Sequence, residues 1–345
     1  MPPICQNKAR MWSYLVRRLF FVIFVAWGVT FATFFIAQVV PADPALAALG
    51  DNAREEQVQE FRHRYGLDKP KPVQYAIYMN RLLRGDLGQS LRTSRPVADD
   101  LKEFFPATIE LSLAALLVSL LFGIPAGVLA ALRQNRAPDL VVRLLALLGG
   151  ATPVFFLAIL LLELLHGKLG LLPGPGRLDP YLLTPPRVTG VMTLDTLIAR
   201  DGKAFVDSLR HLLLPAFVLG AASLALLARM TRGAMLEVLS QDYVRTARSK
   251  GLSERGVVLR HAAKNAALPV LTVIGSLLGS LLSGAVLTET IFSWPGIGRY
   301  VTVSAASLDF PAVMGVTLLA GLVYALINLA VDLLYAAIDP RIRYG

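Results

Sequence analysis

Along most of this 345-residue chain, polar positions are gathered into short blocks separated by long apolar runs. A helix rises about 1.5 Å per residue, so about 20 apolar residues carry it across a hydrocarbon core roughly 30 Å thick. Six runs fit that length. Residues 19–40 and 111–132 carry no charge, and the second run starts near Thr108. Residues 144–165 are interrupted only by Glu163, and 211–228 is the shortest run. Residues 266–287 come next, and 313–338 is broken by the single charge of Asp332. The pattern predicts an all-α polytopic membrane protein with six transmembrane helices.

The polar blocks have their own signals. Residues 41–107 read as a folded segment, with Glu55–Tyr65 a polar helix ended by Gly66. Residues 166–210 are rich in Pro and Gly between 171 and 190, which predicts an ordered loop with turns. In 229–265, residues 242–250 form a short polar helix closed by Gly251, a common helix C-terminal signal. A second helix, 253–267, is capped by Ser253 and ended by Pro269. The predicted organisation is a terminus (1–18), a first span (19–40), the segment 41–107, a five-span core (108–338) and a tail (339–345).

Composition agrees with a bilayer. Hydrophobic residues make up 55% and charged residues 17% of the chain, against about 25% charged in soluble domains. The net charge of +10 would suggest nucleic acid if its location were ignored. Segments 1–18, 133–143, 229–265 and 339–345 hold 17 Lys and Arg against 5 Asp and Glu, a balance of +12 in 73 residues. Segments 41–107, 166–210 and 288–312 hold 17 against 16 in 137 residues. The dense positive set marks the cytoplasmic side, so both termini are predicted inside, and no nucleic-acid partner is implied. A basic start, an apolar run and Ala45-Leu46-Ala47 also resemble a secretory signal, but the run is 22 residues long where such regions have about 7–15. One cysteine, Cys5, excludes a disulfide framework, a thiolate zinc cluster and a Cys-x-x-Cys redox pair, and four histidines leave little room for a histidine metal site.

The sequence has no Gly-x-x-x-x-Gly-Lys-Ser/Thr loop, so the chain shows no means of binding and hydrolysing ATP itself. Gly296-Ile297-Gly298 reads as a turn after Trp294-Pro295, and neither a nucleophile elbow nor a zinc helix is present. In the fifth run Gly275, Gly279 and Ser283 form one small-residue stripe, and Ser276, Ser280 and Gly284 another. Such stripes let helix backbones approach closely in lipid; a packing interface and a pore-lining face both fit, and coincide if the path lies between subunits. Intramembrane polar groups are functional candidates because an unpaired charge there costs at least about 2.5 kcal/mol. Asn328 and Asp332 share a helical face, which suits a structural ion pair for Asp332; Glu163 and Glu110 fall near span ends, where solvated termini explain them. Ala151-Thr152-Pro153 predicts a bend, as ordinary helix curvature or as a kink at a gate.

Segment 229–265 is the most informative. Its +5 charge is explained by a solvated, positive-inside loop, whereas 37 ordered residues suit a docking element. The run Asp242-Tyr243-Val244-Arg245-Thr246-Ala247-Arg248-Ser249-Lys250-Gly251-Leu252, followed by Arg260-His261-Ala262 and Asn265-Ala266-Ala267-Leu268-Pro269, resembles the coupling loop of permeases of binding-protein-dependent ABC importers. The similarity is to the dipeptide, oligopeptide and nickel group, above all to the first permease subunit of a dipeptide importer. Gly85-Asp86-Leu87-Gly88-Gln89-Ser90, Glu289-Thr290-Ile291-Phe292-Ser293-Trp294-Pro295-Gly296 and Asp339-Pro340-Arg341-Ile342-Arg343 agree with it. Arg245-Thr246-Ala247 stands where the broad importer signature has Glu-Ala-Ala, a departure shared with the peptide group that weakens a sugar-import reading.

The resemblance implies a type I ABC importer permease fold in a bacterial inner membrane. It implies a heterodimer with a second permease, two cytoplasmic ATPases that hold the ATP and Mg, and a periplasmic binding protein that delivers the cargo. The permease itself would be no enzyme and would hold no cofactor. Asp242, Tyr243, Arg245, Thr246, Ala247, Lys250, Gly251, Leu252, Arg260, His261, Asn265, Leu268 and Pro269 would couple it to the ATPases. Short peptides are the expected cargo, with nickel chelates, glutathione or haem as alternatives within the group. A proton-coupled carrier would need a carboxylate relay, for which Asp332 alone is thin support, and an intramembrane enzyme would need a catalytic pair that the spans do not offer.

Overall fold

The computed structural model describes residues 3–39, 46, 53–66 and 68–338, and among them every regular element is helical. In chain order these are α1 (Pro3–Val39), α2 (Glu55–Tyr65), α3 (Lys71–Leu83), α4 (Val97–Leu132), α5 (Ala137–Ala151), α6 (Val154–Leu161, continued by a π-helical turn Leu162–Lys168), α7 (Met192–Ile198), α8 (Gly202–Leu239) and α9 (Asp242–Ser249). A single turn Glu254–Gly256 and a π-helical stretch Val257–Ala262 lead into α10 (Ala263–Gly284), followed by α11 (Val286–Ile291), α12 (Ile297–Ala306) and α13 (Phe310–Ile338).

Among the described residues three helices, α4, α8 and α13, are long and apolar enough to cross a membrane alone. Two more crossings are available as bent pairs. α5 and α6 meet at 105° across Thr152-Pro153, so the third predicted span is not one straight helix. Proline at 153 donates no amide proton, and Thr152 turns its hydroxyl back to Leu148 O at 2.7 Å. The expectation that Pro269 ends a helix is corrected in part: α10 runs on through it, but the helix axis bends by 53° between Ala267 and Pro269, where proline has no amide proton to donate to the carbonyl four residues back.

The chain divides into two compact units, Met1–Pro106 with Gly296–Gly345, and Ala107–Pro295. In the first, α1 packs on α13, and α3 lays Tyr75 and Tyr78 against Phe34 of α1 with ring centroids 5.3 and 6.2 Å apart. The start of α4 joins this core, where Val97 and Leu101 pack with Ile297, Tyr300, Ala312 and Val316. The turn before it is pinned by buried carboxylates: Ser90 Oγ donates to Asp309 at 2.5 Å, and Thr93 Oγ1 and Tyr300 OH both donate to Asp100, at 2.6 and 2.9 Å. Burial and the neighbouring Asp100 carboxylate push the Tyr300 phenol well above its ordinary range.

The second unit is built on α8, a 38-residue helix about 56 Å long. Asp201 caps it, its carboxylate accepting from the backbone N–H groups of Lys203 and Ala204, each at 3.0 Å. One side of α8 packs Leu212, Ala216 and Leu219 against Ala107, Leu111 and Ala115 of α4; lower down, Leu227, Ala234 and Met235 meet Ala131 and α10 residues such as Ala266 and Val270. The closest approach is at Gly127, where a Cβ would sit 2.6 Å from both Ala228 O and Thr231 Cβ. Only glycine lets the two backbones meet there.

Candidate functional site

Two parts of the second unit carry the residues that matter. The first is the turn after α8. On α9, Val244 and Ala247 are buried and pack with Val257, Val238 and Leu239, while every other residue from Asp242 to Ser249 is exposed. The helix therefore shows solvent a polar face including Asp242, Tyr243, Arg245 and Thr246, and Ala247 lies on its inner side. Its C-terminal end is closed by local bonds. Leu252 N–H donates to Ala247 O and Gly251 N–H to Arg248 O, the paired bonds of a Schellman ending, with Gly251 left-handed at φ +75°.

The next turn starts on Ser253, whose Oγ accepts from Gly256 N–H at 3.3 Å. Arg248 reaches forward to Glu254 with 2.7 and 3.2 Å bonds, bridging the two helices across Gly251. Asn265 Nδ2 donates to Tyr243 OH at 2.8 Å, tying α9 to α10. Lys250, Leu252 and Arg260 are exposed and His261 is half-buried. Pro269 lies exposed inside α10, and the Leu268 side chain is outside the described residues. The structure thus gathers residues 242–252 and Asn265 into one ordered corner around α9, whereas Pro269 lies further along α10.

The second part lies at the other end of the α8 bundle, and sequence reading missed it. Glu110 is buried on α4 and not a solvated span end. It pairs with Arg177, and its carboxylate also accepts from Thr193 N–H and Oγ1, both at 2.8 Å, and from Met192 N–H. Arg177 in turn lies 5.3 Å over the Trp294 ring and donates to Gly190 O at 3.1 Å. Trp294 Nε1 donates to Ala107 O at 2.8 Å, and Thr108 Oγ1 donates to Glu289 Oε1. Glu289, Phe292 and Trp294 are all buried, so the stretch 289–295 is a plug against α4 around Ala107, Thr108 and Leu111. Asp195 closes the loop: burial pushes its carboxyl up, but bonds from Thr189 N–H and Oγ1 and Gly190 N–H outweigh this and hold it below the usual range. The available sequence signals were a carboxylate, Glu110, at the edge of an apolar run and two arginines, Arg177 and Arg187, in the Pro/Gly-rich loop.

The remaining candidates are separate. On α10, Gly275 is half-buried and Gly279 buried, whereas Ser276 and Ser280 are exposed with hydroxyls bonded back to Val273 O and Leu277 O. The Ser283 side chain and the surroundings of Gly284 are outside what the structure describes. Glu163 is exposed on the π-helical turn after α6. Asn328 is half-buried on α13, and the Asp332 side chain is outside the described residues.

The comparisons fit a permease. A family described as "Binding-protein-dependent transport system inner membrane component" matches residues 123–344, and its N-terminal companion, "Binding-prot-dependent transport system membrane comp, N-term", matches residues 11–114. The chain is 48% identical over 334 residues (97% of this chain, 98% of the relative) to the probable D,D-dipeptide transport system permease protein DdpB of Escherichia coli K12. It is 47% identical over 335 residues (97% and 99%) to the di/tripeptide transport system permease protein DppB of Pseudomonas aeruginosa UCBPP-PA14. The glutathione transport system permease protein GsiC of E. coli O6:H1 is 37% identical over 334 residues (97% and 100%). A bundle of long apolar helices carrying one ordered polar corner and matched along nearly its whole length in this way leads to one assignment: the chain belongs to the family of inner-membrane permease components of binding-protein-dependent transporters.

Proposed function

We propose that the chain is one of two permeases of an ABC importer for dipeptides and other short peptides, and that it hydrolyses no ATP itself. α9 docks on a cytoplasmic ATPase; ATP and Mg are held by two such subunits, and a periplasmic binding protein delivers the cargo. The observation that carries this reading is the solvent-facing row Asp242, Tyr243, Arg245 and Thr246, fixed on a helix that is capped at its end and buried along one side. A solvated loop has no need of such order. The cargo assignment is supported by the peptide permeases among the relatives, and glutathione is the second reading, favoured by the GsiC similarity.

Six crossings follow if the apolar stretch Phe20–Ile36 of α1 joins the three single spans and the two bent pairs. Charge density then puts both termini and α9 in the cytoplasm, and the segments 41–107 and 166–210 outside. The exposed Ser276–Ser280 face of α10 suits a helix of the second permease.

The test uses a Cys5→Ser background, which leaves the chain cysteine-free. Tyr243→Cys, Arg245→Cys and Thr246→Cys are each combined with scanning cysteines on the partner ATPase, and peptide and glutathione uptake are measured in cells lacking other routes. Cross-links that form with the ATPase, together with dipeptide uptake, support the proposal. Absence of any cross-link from positions 243, 245 and 246 would overturn the docking assignment, and uptake of glutathione alone would overturn the cargo.

A further inference from the structure

Asp139, in the first turn of α5, is completely buried. Its carboxylate accepts two bonds from the Arg232 guanidinium of α8, Nε at 2.6 Å and a terminal nitrogen at 2.9 Å, and a third from Asn135 N–H at 3.0 Å. Arg143 stands 3.5 Å from the same carboxylate. A two-pronged guanidinium–carboxylate pair fixes orientation as well as distance. Seven residues after Arg232, α8 ends, and its last residues Val238 and Leu239 pack under α9. On the other side of the same helical turn, Gly127 of α4 rests against Ala228, Thr231 and Arg232. The end of α8 that carries α9 is therefore held from two sides, by a backbone notch on α4 and by an ion pair on α5.

We infer that Asp139 and Arg232 are positioning residues for transport: the pair locks α5 to the α9-bearing end of α8, so that displacement of α9 moves the bent α5–α6 span together with α8. The inference rests on the proposed docking of α9. Without the pair, α8 still follows the ATPase through its packing on α9, and α5 keeps its contact with α8 at Gly149 and Ala225 but loses the oriented link nearest α9, so it lags. ATP hydrolysis then continues while transport falls.

The experiment reconstitutes the complete importer in lipid with its binding protein, and measures ATP hydrolysed per peptide imported for Asp139→Asn, Arg232→Gln and the double variant. Each single variant is expected to assemble with its ATPases, to keep ATP hydrolysis within about twofold of the parent, and to raise the ATP consumed per peptide by about tenfold. The double variant is expected to be no worse than either single one, as for two groups that act only through each other. An unchanged ratio in the variants, with yield unchanged or reduced, overturns the inference, as does an additive effect in the double variant. Failure of the parent chain to retain ATPases indicts the docking proposal instead.

Discussion

Thr108 Oγ1 donates to Glu289 Oε1 at 2.6 Å, a buried bond between residues 181 positions apart. It fastens the 289–295 plug to α4, next to the bond from Trp294 to Ala107. Removing the hydroxyl leaves a buried carboxylate oxygen short of a donor, at a cost of about 1–3 kcal/mol. Thr108→Val is therefore expected to lower the melting temperature of the detergent-purified chain, and Thr108→Ser to leave it near the parent value; equal melting of all three would show the bond to be dispensable.

Glu110 answers Arg177 and the first N–H groups of α7 at once. Glu110→Ala strands a guanidinium that is only 11% exposed, a loss of about 3–5 kcal/mol when one partner of a buried pair is removed. Cleavage by added protease should move to the stretch 171–190, while Glu110→Gln, which keeps an acceptor, should be cut more slowly than the alanine variant.

Gly251 faces open space, so the size of a substituent is not what matters there. Its φ of +75° is what excludes ordinary side chains. Gly251→Ala should cost about 1–2 kcal/mol locally and reduce uptake with the protein still in the membrane. Gly251→Asn should retain more uptake than Gly251→Ala, since asparagine tolerates the left-handed region; the reverse order would remove the conformational explanation.

Gly127 behaves oppositely. A methyl group there meets backbone and Cβ atoms at 2.6 Å, so Gly127→Ala forces α4 and α8 apart and should cost about 1–3 kcal/mol. The measurement is folded yield after detergent extraction, with Gly28, where nothing lies within 4 Å, as the tolerant control.

The Asp195 carboxyl is held below its ordinary range, so its contribution to the loop is complete above about pH 4 and fades as pH falls through the depressed value. The protection of the Thr189 and Gly190 amides against hydrogen exchange, relative to unstructured amides at the same pH, should fall only in that acid window, and in Asp195→Asn it should be low at neutral pH too.

Much of the fold was legible because its signals are local. The α2 helix spans Glu55–Tyr65 as its charges and Gly66 predicted, and α9 starts at Asp242 with Gly251 in the left-handed position that its place after the last turn suggested. Ser253 caps as expected. What stayed hidden depends on groups far apart in sequence. Glu110 looked like a wet span end because its partner, Arg177, lies 67 residues away on a loop. Asp139 finds Arg232 at a separation of 93. α8 was read as a short run because its polar ends interrupt the apolar count, although the helix continues through them on both sides.

That continuity has a mechanical consequence. At about 56 Å, α8 is nearly twice as long as a hydrocarbon core is thick, so a bilayer that it crosses leaves close to half of its length outside the apolar layer. A tilt of about 5° about its midpoint swings each tip by roughly 2.5 Å, comparable with the length of a hydrogen bond. Asp201 and its loop ride on one tip and α9 on the other. A tilt that hardly displaces the middle of the helix is thus a shift of hydrogen-bond size at its tips.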